Sequence, residues 1–188
     1  MSCEECRRFE QKLAYHTAPA LLGIKPSALM SLGRSELDVD GGIEMFNTQA
    51  AKKGLKIKIL CECRGRALIF LYNEKLLSAS LAEKDRRAML DSFGYHGTVS
   101  EQLERLAERV SEKGDFPHEI GLFLGYPTGD VKGFLKNNGE NYILSGCWKV
   151  YCDPEKAAHT FEIYSRCRSF LCKRLESGYT IYQALKIS

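Results

Sequence analysis

The chain has 188 residues, of which 44% are hydrophobic and 27% charged, with a formal net charge of +3. This is an ordinary globular composition, enough for one domain over residues 1–188 with a full core, and the charge is too small to favour nucleic acid by itself. No apolar run approaches the roughly 20 residues of a membrane span, and the start MSCEECRRFEQKL has no apolar segment behind its charges, so neither a span nor a secretory signal is predicted and the expected location is the cytoplasm.

Taken in order, periodicity predicts a helix from about Glu4 to Tyr15, then a proline-interrupted connection, HTAPALLGIKPSAL. In that connection Lys25-Pro26 reads either as a surface lysine on a turn or as an anion-binding lysine beside a helix start, with Ser27 or Pro26 opening the helix. A second helix runs from about Ile43 to Lys53 and stops at Gly54. The period then changes to two. Leu55, Ile57, Ile59 and Cys61 alternate with Lys56, Lys58 and Glu62, and ALIFLY follows the Arg64-Gly65 turn, which predicts a β-hairpin.

Three helical stretches come next: NEKLLSASLA, KDRRAMLDSFG and TVSEQLERLAERVSEK. The last carries Val99, Leu103, Leu106 and Val110 on one stripe, with Ser100 as its expected cap. After the segment 116–139, NYILSGCWKVYC reads as a later strand, expected in one sheet with the hairpin. Asp153-Pro154 then opens a long helix whose buried face is Ala157, Phe161, Tyr164, Phe170 or Leu171, and Leu175. The expected fold class is α+β, mostly helical, around a small antiparallel sheet that this last helix covers.

The eight cysteines give one C-x-x-C (Cys3, Cys6), one C-x-C (Cys61, Cys63) and two pairs five apart (Cys147/Cys152, Cys167/Cys172). A tetrahedral zinc cage wants two close pairs that converge, and five residues of helix turn about 500°, which points Cys167 and Cys172 apart. The expectation is free thiols and no metal.

Residues 116–139, FPHEIGLFLGYPTGDVKGFLKNNG, have the spacing of a helix-turn-helix, with Ile120, Leu124, Val131 and Phe134 as the packing positions. A DNA reader also needs phosphate-binding charge and base-edge donors on the second helix. Here Lys132 and Lys136 are balanced by Glu119 and Asp130, and no arginine is present, which argues against DNA reading. Pro117 at a first helical position would put Glu119 at the third as a capping carboxylate, and His118 where an anionic ligand meets a helix start. Tyr126 at the turn would join that site. Trp148 is expected to face inward, with Lys149 outward, or else to offer a flat surface to a flavin or base. Six basic residues against Glu62 lie between Lys52 and Arg66. Of these Lys56, Lys58, Arg64 and Arg66 form either a solvated face or a docking surface for an acidic partner.

LLGIKPSAL, FPHEIGLFLGYPTGDVKGFL and GCWKVY, in this order and spacing, resemble an uncharacterised family of anaerobic bacteria, domain of unknown function 3793, over nearly the whole chain. The resemblance implies no activity or cofactor. It implies a neighbourhood of flavodoxin and ferrous-iron uptake genes, and so an acidic partner such as a flavodoxin. It also implies thiols where this chain has Thr17 and Ser145. Three readings stand: a non-catalytic adaptor or ligand-binding protein in iron or redox metabolism; a small enzyme with a site around His118 and Glu119, needing His118, Glu119, Lys25 or Tyr126 to converge in one cleft; and a helix-turn-helix regulator.

Overall fold

The computed structural model describes residues 2–112 and 116–187. Lys113, the last residue of one expected helix, lies outside the described residues. The fold is α+β and mostly helical, with a three-stranded antiparallel sheet and a separate two-stranded one. The larger sheet has the order β1-β3-β2, from β1 (Ser27–Gly33), β2 (Leu55–Cys63) and β3 (Arg66–Asn73). The expected hairpin is present as β2 and β3, turning through Arg64 and Gly65, both at positive φ as a tight hairpin requires. The third strand is not the one expected. It is β1, hidden in the connection after Pro26, where Lys25-Pro26 precedes a strand rather than a helix. The stretch 142–152 instead forms β4 (Leu144–Ser145) paired with β5 (Lys149–Val150) in its own small sheet.

The sheet divides the interior because its side chains alternate with a period of two. Ala67, Ile69 and Leu71 of β3 face one core, with Ala28, Met30 and Leu32 of β1 and Leu55 and Ile57 of β2. Phe70 faces the other. Alternation puts Leu60 in the second core, while a bulge between Ile59 and Cys61 shifts Cys61 to pair with Leu68, and Cys61 is only half-buried rather than a member of the first core.

The first core is covered by α1 (Cys3–Leu21), α2 (Val39–Ala50) and, outside α1, by α8 (Pro154–Glu176), with α9 (Ile181–Ala184) closing one end. Helix α1 is opened by a Ser2–Glu5 capping box and runs through Pro19, six residues past its expected end. Proline there removes one helical hydrogen bond near the terminus, while Ala18, Ala20 and Leu21 around it are all buried, and that burial holds the last turn in place. Helix α8 packs mainly on α1 rather than mainly on the sheet as expected. Its buried face is Ala157, Tyr164, Cys167, Leu171 and Leu175; Phe161 is half-buried and Phe170 exposed.

The second core is built by α3 (Glu74–Leu81), α4 (Lys84–Ser92), α5 (Val99–Ser111), α6 (Ile120–Phe123) and α7 (Thr128–Lys136). Thr98, not Ser100, caps α5, through a capping box with Glu101. Leu103 and Leu106 are the buried members of its stripe, flanked by half-buried Val99 and Val110. Among the described residues no helix is long and apolar enough to cross a membrane.

Candidate functional site

The helix-turn-helix spacing resolves into something smaller. Helix α6 is a single turn, and Gly125 at φ 76° reverses the chain into α7. A side chain at Gly125 would strike Pro26, whose ring lies 2.7 Å from where its Cβ would be. The three motif segments meet at this contact. Ser27 donates its hydroxyl to the Phe123 carbonyl (2.7 Å), and the Lys25 ammonium lies over the Tyr126 ring at 5.4 Å. Tyr126 in turn stacks on Trp148, with ring centroids 5.1 Å apart.

Asp130 holds the tryptophan hairpin to α7. Its carboxylate is buried and accepts from Trp148 Nε1 (2.8 Å), from the Tyr151 N–H (2.8 Å) and from the Cys152 N–H (3.0 Å). A charge read from sequence as balancing Lys132 on an exposed helix is thus an internal anchor, satisfied by three N–H donors. Gly133 explains how the backbones come so close. A Cβ there would lie 2.4 Å from Tyr151, so the helix tolerates a residue costing about 1 kcal/mol in propensity.

Between α7 and the hairpin lies a cavity of about 330 Å³, lined by His118, Tyr126, Phe134, Trp148 and Lys149 among others, with the Ser145-Gly146 backbone at its edge. Val131 is buried beneath it, whereas Phe134, expected buried, is only half-buried and forms a wall. His118 is exposed, in a turn before α6, and its ring packs on Phe134 at 4.7 Å. Lys149, expected to point outward, turns its ammonium to the Gly139 carbonyl (2.6 Å), 5.0 Å from the Tyr142 ring centre. Trp148 is half-buried, with Tyr126 stacked on it and the Phe161 ring nearly perpendicular at 4.5 Å.

Of the seven residues singled out for ligand binding, His118, Tyr126, Trp148 and Lys149 therefore line one hollow. Lys25 and Pro26 sit behind it, against Tyr126 and Gly125. Glu119 does not cap a helix: it is buried under α5, where it accepts from the Tyr95 hydroxyl (2.9 Å) and pairs with Arg109 (3.0 Å). Burial, with the Glu119 charge beside it, pushes the Tyr95 phenol far above its ordinary range.

Burial draws the Lys25 ammonium down to about 8 and pushes the Tyr126 and Tyr164 phenols up to about 12. Sequence reading missed Asp130 as an anchor and missed Arg86. The latter is buried on α4 and donates to the carbonyls of Leu122 (2.6 Å) and Tyr126 (3.1 Å), fixing the turn that carries the site. Neither has a local signal, since both act across long stretches of chain.

The basic hairpin is separate from this hollow. Lys56 pairs with Glu74 (3.1 Å) and Lys58 with Glu104 (2.6 Å), while Arg66 donates to the Ser31 hydroxyl and carbonyl. Arg64 occupies the exposed turn. All eight cysteines are free thiols, and among the described residues no three His, Cys, Asp or Glu side chains gather as a metal site would need.

A family model described as Protein of unknown function (DUF3793) matches residues 13–185. The chain belongs to this family. No curated protein and no solved structure matches it. The match takes in all three motif segments, the two that line the hollow and the one packed behind it.

Proposed function

We propose that this DUF3793 chain is a non-catalytic ligand-binding protein whose hollow takes a small, flat, anionic molecule. The observation that carries this reading is the meeting of two motif segments, distant in sequence, at one aromatic cavity lined by Lys149, with the third segment packed behind its Tyr126 wall. A volume of about 330 Å³ is at the lower end for ligand pockets, which suits a body of one or two rings. Phe134, Tyr126 and Trp148 supply apolar walls; Lys149 keeps ammonium protons beyond the one given to Gly139, and His118 offers a ring nitrogen at the mouth. These are partners for a carboxylate or phosphate.

The enzyme reading needed His118, Glu119, Lys25 or Tyr126 to converge in one cleft. The hollow brings His118 and Tyr126 together, but Glu119 is engaged by Arg109 and Lys25 lies behind the Tyr126 ring, which favours binding over catalysis. The redox setting implied by the family resemblance makes flavin mononucleotide a sensible upper-size probe beside benzoate and indole-3-carboxylate. Equilibrium dialysis of the purified protein with these three is the test. Saturable binding of at least one, weakened about tenfold or more in Lys149→Met, is the expected result; the loss of one charge-assisted hydrogen bond is about that large. Binding of none, or binding indifferent to Lys149 and Phe134, would overturn the reading.

A further inference from the structure

Where α8 lies against α1, the two helices leave a groove of about 370 Å³. Arg8, Lys12, Tyr15 and His16 line it from α1, and Cys172 and Glu176 from α8. Arg8, Lys12 and His16 follow one another at four-residue steps, so they climb one face of the helix about 6 Å apart. Arg168 joins them from α8, its guanidinium lying over the Tyr15 ring at 4.9 Å. Two arginines, a lysine and an imidazole thus gather at one groove, and among the described residues Glu176 is the one carboxylate that lines it.

Two observations set this grouping apart from an ordinary solvated face. Arg8 and Lys12 are a like-charge pair at i, i+4, an arrangement that weakens a helix, and protonation of His16 extends it. The cations are also left largely without partners. On the basic hairpin, Lys56 and Lys58 each hold a glutamate. Here Lys12 pairs with Glu36 at 3.0 Å, a residue that does not line the groove, while Arg8, His16 and Arg168 make no ion pair among the described residues. Partial burial, then the Arg168 guanidinium and the Lys12 ammonium, lower the His16 imidazole below its ordinary value, as befits a base packed among cations.

We propose that the groove between α1 and α8 is a second binding site, which takes a compact polyanion carrying two or more negative groups, in the class of triphosphates and tricarboxylates. Arg8 and Arg168 offer planar forks of donors, Lys12 keeps ammonium protons beyond the one given to Glu36, and His16 offers a ring N–H. The rise from Arg8 to His16 is about 12 Å, too far for one carboxylate to bridge and suited to several anionic groups on one molecule. Phosphate and carboxylate satisfy these donors alike, so charge number and reach define the class. The groove and the aromatic hollow share no lining residue, so either site can fail without the other.

The test is site-resolved NMR titration of the four histidines of the full chain, with and without saturating inorganic tripolyphosphate or citrate at matched ionic strength, beside calorimetry at low salt. The His16 midpoint is expected to rise by about one pH unit with at least one of the two ligands, because a bound anion favours the imidazolium. His96, His118 and His159 stay where they were, and acetate moves none of the four. A response to tripolyphosphate alone assigns the groove to phosphates, and one to citrate alone assigns it to carboxylates. Affinity falls about two- to fivefold in Arg8→Gln and in Arg168→Gln, the usual weight of one exposed ion pair. It is unchanged in Lys84→Gln, which removes the same charge from α4 across the sheet. A His16 midpoint unmoved by both polyanions, an equal movement of all four histidines, or a loss in Lys84→Gln as large as in Arg8→Gln would overturn the proposal. Movement of His118 in place of His16 would put the anion in the aromatic hollow and overturn it too. So would binding of a hexaglutamate peptide where neither small polyanion binds, since the groove would then be a protein-docking surface.

Discussion

The three-stranded sheet and the small β4–β5 hairpin are held together by different physics. Residues of β1, β2 and β3 pair over long ladders, such as Leu29 to Phe70 and Ile57 to Leu71, and bury apolar side chains on both faces. The hairpin pairs only Leu144 with Val150 and Ser145 with Lys149, and leans instead on one buried carboxylate, Asp130, and on glycines in α7 that let it approach. Area burial tolerates the loss of any one contact. A single polar hub does not, because every donor it satisfied is left unpaired at once.

Replacing Asp130 with alanine should therefore have the largest effect. Three donors lose their acceptor, at about 1 to 3 kcal/mol each before water relieves them, so a total loss of about 3 to 6 kcal/mol is expected in chemical denaturation. The loss should be concentrated at the hairpin, with amide exchange of Tyr151 and Cys152 rising further than that of β3. In the sheet, Ile69→Ala should cost about 2 to 5 kcal/mol, as truncation of a fully buried aliphatic does, while the hollow stays intact below the unfolding transition. A uniform rise in exchange in both variants would erase the distinction between the regions.

Phe134→Ala should cost only about 1 to 2 kcal/mol, below the range for buried aromatics, because its ring is half-exposed and lines the cavity. The smallest effect is expected at His118→Gln, within about 0.5 kcal/mol, since this side chain is exposed; any change in ligand affinity there would come without a change in stability.

Lys25 adds a pH signature. Its folded-state value of about 8 is below the ordinary 10.5, so between these values the unfolded chain binds more protons and stability rises with pH. Denaturation of the native protein and Lys25→Met, compared across this window, should show that rise in the native protein alone. An equal slope in both would place Lys25 in water.

What could be read in the amino-acid sequence follows the same division. The β2–β3 hairpin was legible because Leu55, Ile57 and Ile59 alternate with charged residues, and α8 because Asp153-Pro154 announces its start. Strand β1 was hidden by its position after two prolines, and α1 overran its expected end because tertiary burial of Ala18 and Ala20 outweighs the local signal of Pro19. At the site, His118, Tyr126, Trp148 and Lys149 were recognisable as residue types suited to binding, and they share one hollow. Glu119 was read as a helix-capping carboxylate and Asp130 as a charge balancing a lysine, since nothing near them in sequence shows that Tyr95 and Arg109, or the Trp148 indole and two hairpin amides, would meet them inside. Local pattern encodes periodic burial; it does not encode which distant donor a carboxylate finds.

Trp148 is the sole tryptophan of the chain and lines the hollow, so its fluorescence reports on the site and on nothing else. Titrating the folded protein with indole-free aromatic carboxylates, benzoate first, while following this emission tests the central claim most directly. A saturable change in intensity or wavelength, weakened in Lys149→Met and in Phe134→Ala but retained in Ile69→Ala, is the result expected of a binding hollow. An emission unchanged by any aromatic anion, or one altered equally in all three variants, would contradict it.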